Sequence, residues 1–153
     1  MIHKQIFLGA IAFLLAGCMT TGDTYVTNYK DVVKAADWKT MQTVTVELDS
    51  HSYEPSELVF KAGQPYRLVM KNLSDEDKHY FTAPEFFRAI ATRKVQSNKD
   101  GEVKAPYFTA LEMMKSGGRL DLYFVPVKKG TYETYCTIKG HRKEGMEGKI
   151  AII

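Results

Sequence analysis

From Thr43 onward the chain alternates between polar and apolar positions. Val44, Val46 and Leu48 are interleaved with Thr43, Thr45 and Glu47, the period of a half-buried strand. The same reading predicts strands over Glu57–Lys61, Pro65–Asn72, Arg119–Val127, Thr131–Cys136 and Gly148–Ile153. Gly63-Gln64-Pro65, Ser116-Gly117-Gly118 and Lys129-Gly130 punctuate them as turns. Short strands bounded by such turns predict an all-β chain built as an antiparallel sandwich or barrel.

One segment departs from this period. Thr82-Ala83-Pro84-Glu85 fits a capping box, with Thr82 as N-cap and Glu85 at the third helical position. Pro84 falls in the first turn, where a missing N–H costs nothing. Phe86, Phe87, Ile90 and Ala91 then form a stripe, and Arg93-Lys94 complement the C-terminal dipole. The expectation is one inserted helix of about three turns over Pro84–Lys94. Residues 96–118 read as a long connection, with a turn at Ala110–Lys115. Residues 19–42 are polar and weakly periodic, a tether with a short helical turn near Val32–Trp38.

Composition narrows the function classes. A chain of 153 residues that is 44% hydrophobic is long enough for one globular core. A net charge of +3 without any block of basic residues argues against nucleic acid as a partner. The apolar run from Ile6 to Ala16, preceded by His3-Lys4, reads as a secretory signal. It ends in Leu15-Ala16-Gly17-Cys18, which resembles the lipobox of bacterial lipoproteins. The resemblance implies a signal peptide over 1–17, lipidation at Cys18, a tether over 18–42 and a domain over 43–153. It places the mature protein in the cell envelope, lipid-anchored and facing the periplasm or the exterior. Met19 rather than Asp after the cysteine favours the outer membrane where a cell has two.

Acylation of Cys18 would leave Cys136 without an intramolecular partner. A lone thiol in an oxidising compartment points to a metal ligand, a reactive cysteine or an intermolecular bridge. Its surroundings decide among these. Cys136, His141 and Met146 follow one another as C-x4-H-x4-M on one loop between two strands. Soft sulfur with imidazole nitrogen suits copper, and two histidines, a cysteine and a weak axial methionine make an electron-transfer site. The missing histidine must come from elsewhere, and His79 closes the connection that follows a strand.

On these residues the domain resembles a cupredoxin. The similarity runs over about residues 43–153, through Tyr53-Glu54-Pro55, Leu58–Gly63, Leu68–Asn72, His79, Gly130–Tyr132 and the Cys136–Gly148 loop. It implies a Greek-key β-sandwich, one copper ion, His79, Cys136 and His141 as strong ligands and Met146 as the axial one. His51 lies where the resemblance places no ligand. The loop spacing is longer than in plastocyanin-like members and nearer to phytocyanin-like ones, which leaves a blue or a green site open. Tyr80 stands where many members carry an Asn that holds the loop and donates to the thiolate region. That role is then vacant or filled otherwise. The Met113-Met114 pair reads as packing in the connection rather than as a copper(I) patch.

No Ser-His-Asp context, HExxH or phosphate loop supports an enzyme, and 4 histidines cannot build a trinuclear copper centre. The expected function is a membrane-tethered, monomeric one-electron carrier that meets a redox partner protein. The alternative is a periplasmic copper-handling protein, serving sequestration, tolerance or delivery, that meets a copper donor or acceptor. The resemblance makes the edge of His141 the electron port. Around it Lys139, Arg142, Lys143 and Lys149 outnumber Glu144 and Glu147, the charge that would steer an acidic partner.

Overall fold

The computed structural model describes residues 24–98 and 101–153. Cys18 and the signal segment lie outside the described residues. Among the described residues no helix is long and apolar enough to cross a membrane.

The alternating segments form the two sheets of a sandwich. The first carries β1 (Gln42–Asp49), β2 (Ser52–Glu54), β4 (Tyr66–Asn72), β6 (Ile90–Ser97), β7 (Glu102–Val103) and β9 (Arg119–Pro126), in the order β2-β1-β4-β9-β6-β7. The second carries β3 (Glu57–Phe60), β5 (His79–Thr82), β8 (Ala110–Met113), β10 (Gly130–Tyr135) and β11 (Glu147–Ile152), in the order β3-β11-β10-β5-β8. Most neighbours are antiparallel, but β1 runs parallel to β4 and β3 parallel to β11. Six of the nine pairings join strands that are not consecutive in the chain, as a Greek key requires.

Inward positions of both sheets meet in an aromatic core. Phe60 of β3 packs edge-on to Phe124 of β9 at 5.1 Å between centroids, and Phe86 meets Phe124 at 5.5 Å. Phe60, Phe86 and Phe124 are fully buried. Each such ring contributes about 1.5–3 kcal/mol by leaving water. On the outer face of the first sheet a second apolar cluster joins Ala91 and Val125 to Val26, with Val32, Val33 and Trp38 packed against it. These come from helix α1 (Tyr29–Ala35) and a 3-10 turn over Trp38–Thr40, so the helical turn expected near Val32–Trp38 lies against β6.

The inserted helix is shorter than its sequence pattern predicts. Helix α2 spans Pro84–Ala89, with Pro84 at its start but Ala83 as N-cap and no side-chain cap. Thr82 stays in β5, and Glu85 pairs with Arg88 instead of capping. Ile90, expected in the helix, opens β6, which pairs along its length with β9. The apolar run misleads because Ile90 enters the sandwich core while Ala91 enters the outer cluster. Both faces of the strand are covered, so no alternation marks it. β-Branched Ile90, Thr92 and Val95 suit the extended form, and the ladder satisfies backbone groups that a frayed helical end would leave open. The long connection likewise contains β7 and β8.

Candidate metal centre

The C-x4-H-x4-M loop folds back on itself through backbone hydrogen bonds. Cys136 follows the last residue of β10, and its N–H donates to the Met146 carbonyl at 3.0 Å. The N–H of Met146 donates to the His141 carbonyl at 3.0 Å. Between them His141–Glu144 form a 3-10 turn, entered at Gly140 (φ 95°) and left at Gly145 (φ 108°). Those positive φ values favour glycine, because L side chains rarely adopt this backbone conformation even where space is open. A sequence with five-residue spacing thereby returns Met146 to the level of Cys136 before β11 begins.

The fourth residue comes from β5, the strand beside β10 in the second sheet. His79 opens β5 and pairs with Met113 of β8. The ligand atoms of His79, Cys136 and His141 lie within 4.8 Å of one another, and Cys136 Sγ is 3.7 Å from His141 Nδ1. Sequence reasoning named these three, and the structure brings them together. Met146 is fully buried and bound by its backbone to the other two loop residues.

Local chemistry favours a metal over a packed core. His79 is completely buried, yet neither of its ring nitrogens has a hydrogen-bond partner among the described residues. An unpaired buried polar group costs about 1–3 kcal/mol. Burial, and then the nearby His141, push the His79 imidazole below the usual histidine range. A neutral ring keeps a lone pair for ligation. Cys136, the free cysteine among the described residues, is 1% exposed. The Tyr80 backbone N–H donates to its sulfur at 3.5 Å.

Tyr80 thus serves the sulfur through its main chain, while Asn72 holds the loop. Asn72 is fully buried and its Nδ2 donates to the carbonyls of Asp77, Met113 and Met114 at 2.8, 3.1 and 3.2 Å. These bonds fix the connection ahead of His79 against β8. Tyr53 donates to the Tyr80 carbonyl, and burial together with the neighbouring Cys136 raises its phenol far above the usual range. Of the methionine pair, Met113 is buried in the core as expected, whereas Met114 is exposed.

His141 is less open than a bare electron port. It exposes 7% of its surface, and the His51 ring packs 4.3 Å from it, edge to face. His51 Nδ1 pairs with Glu144 Oε2 at 2.7 Å. Arg142 pairs with Glu133 and Glu147 and lies over the Tyr135 ring, which offsets part of the positive charge expected around the port. Asn72 and Tyr53 were not among the candidates, and His51 was weighed against His79 as a ligand and set aside. The signal available for His51 was its place in Asp49-Ser50-His51-Ser52, a turn that lacks glycine.

The family model for the cupredoxin-like domain matches residues 10–152. No curated protein sequence matches the chain significantly. Among solved structures, auracyanin B aligns at a TM-score of 0.52 and 19% identity, covering 73% of this chain and 88% of its own. Sodium-dithionite-reduced auracyanin from Roseiflexus castenholzii gives 0.52 and 19%, with 77% and 98% covered. A laccase from Pediococcus acidilactici gives 0.58 and 14%, covering 78% of this chain but 28% of the laccase. At these identities the likeness is one of fold, and with the family match it shows that the chain belongs to the cupredoxin-like domain family.

Proposed function

We propose that His79, Cys136, His141 and Met146 hold one copper ion, and that the protein is a one-electron carrier tethered in the cell envelope through lipidated Cys18. The observation that carries this reading is His79, wholly buried with both ring nitrogens unpartnered among the described residues and within 4.8 Å of the Cys136 and His141 ligand atoms. Two imidazoles with a thiolate and a thioether suit copper better than a hard cation.

Bound copper supplies a one-electron couple between its cupric and cuprous states. This chain's part is to hold the ligands still and dry. β5 and β8 set His79, β10 sets Cys136, and the 3-10 turn sets His141 and Met146. The Tyr80 N–H disperses thiolate charge, and the buried surroundings tune the potential. The reading excludes an oxidase like the laccase among its structural neighbours, because 4 histidines cannot supply a second copper cluster. A lipid anchor would raise the effective concentration near a redox partner.

The copper-handling alternative draws on a different observation. His51 and Asp77 join His141 in a second group whose ligand atoms also lie within 4.8 Å. Voltammetry of the copper-loaded protein separates the two functions. The carrier reading expects a reversible one-electron wave with copper retained through repeated cycles. Release of the metal on reduction, or on mixing with an apo acceptor, would favour copper delivery.

A further inference from the structure

We propose that His51, Asp77 and the outer edge of His141 form a second cation site, which captures copper at the surface and passes it to the buried centre. The proposal rests on the copper-centre reading. His79, Cys136 and Met146 expose 0%, 1% and 0% of their surface, so none of them meets an arriving ion first. His141, at 7%, is the member nearest solvent, and His51 and Asp77 stand on its outer side. Their donors are nitrogen and carboxylate oxygen, a set that takes hydrated divalent copper without needing a thiolate.

Three features make this more than a chance cluster. The ligand atoms of the trio fall within 4.8 Å of one another, close enough for small side-chain rotations to reach one ion. Glu144 holds His51 Nδ1 at 2.7 Å, the carboxylate partner that fixes a metal-binding imidazole and leaves Nε2 free. Finally, His51 sits where a side chain is disfavoured. Ser50 (φ 41°) and His51 (φ 76°) are the central residues of the two-residue β1–β2 hairpin, with Asp49 paired to Ser52. Positive φ at both positions is the turn best served by Asn-Gly. A histidine at the glycine position weakens the turn, and strained positions of this kind gather at functional sites.

His141 belongs to both groups, so they act in sequence. Its Nδ1 is 3.7 Å from Cys136 Sγ on the inner side, which leaves Nε2 for the outer set. During transfer the ion stays divalent. His51 and Asp77 release it, the Cys136 thiol gives its proton to solvent, and the His141 proton moves from Nδ1 to Nε2 through water.

The test is stopped-flow loading of apo protein with limiting Cu(II), following the thiolate-to-copper band. His51→Gly and Asp77→Asn should each slow its appearance by about tenfold or more while its final intensity stays the same. His51→Gly should also raise Tm, so slow loading cannot come from misfolding. A Cys136→Ser, His79→Ala double variant should bind one Cu(II) with a nitrogen and oxygen EPR spectrum, and should lose it when His51→Gly is added. Loading of His51→Gly at the wild-type rate, or Cu(II) retained in the triple variant, overturns the proposal. If the wild type never develops the band, the copper-centre reading fails instead, and the loading site fails with it.

Discussion

The Cys136 N–H donates to the Met146 carbonyl at 3.0 Å, which binds the two ends of the candidate copper loop to each other. The loop is therefore closed by its backbone and does not depend on the methionine side chain for its shape. Met146→Leu should keep copper and leave the loop folded. Its reduction potential should rise, because the weak thioether donor favours the cupric state over the cuprous one. Voltammetry checks this, and an unchanged potential would make Met146 packing alone.

The two candidate histidines separate by depth. His79 is fully buried with unpaired nitrogens, whereas His51 has a side chain 34% exposed and paired with Glu144. His79→Ala should lose copper or badly distort the site. His51→Ala should end with the same stoichiometry and thiolate band as the wild type. Equilibrium metal analysis and EPR of both variants check this, and the reverse pattern would exchange their roles.

Strand β9 carries a buried charge that the copper site does not use. Asp121 lies on the first sheet between Arg67 and Arg119, with Arg119 Nε at 2.7 Å. Burial pushes its pKa up, but hydrogen bonds from both guanidinium groups prevail and hold the carboxyl below its ordinary 3.8. The unfolded chain then binds the proton more readily. Asp121 thus stabilises the fold above its ordinary value and loses that contribution as pH falls through the lowered one. Asp121→Asn should cost about 2 kcal/mol at neutral pH, discounted for partners that are partly exposed. Urea titrations should show the difference from wild type shrinking below about pH 4.

The aromatic core sets a larger effect. Phe86 is fully buried between Phe60 and Phe124, at 5.9 and 5.5 Å. Phe86→Ala should cost about 3–5 kcal/mol through the lost transfer energy and the cavity left behind. Denaturant unfolding measures it directly.

How much of this was legible in the sequence depends on whether the signal was local. Cys136, His141 and Met146 share one loop, so spacing alone exposed them. Strand β1 could be read because its residues alternate, and β3, β4, β9, β10 and β11 because glycine or proline also marks at least one end of each. Strand β6 could not, since Ile90 and Ala91 are buried on opposite sides and imitate a helical stripe after Pro84. The short β8 gave too few residues for a period. His51 was passed over because its relation to His141 is purely tertiary, created when the β1–β2 turn meets the copper loop. Asn72 was visible only as a strand end, and two of its three carbonyl partners, Met113 and Met114, come from a segment far along the chain.

The most direct measurement is a Cu(II) titration of the purified protein, read by visible absorption and EPR, with Cys136→Ser as its pair. The account predicts one equivalent of copper and an intense thiolate-to-copper band in the wild type. It predicts loss of that band in the variant, with the β-sandwich intact by circular dichroism. A wild type that binds no copper, or a variant that keeps the full band, would contradict the proposed centre.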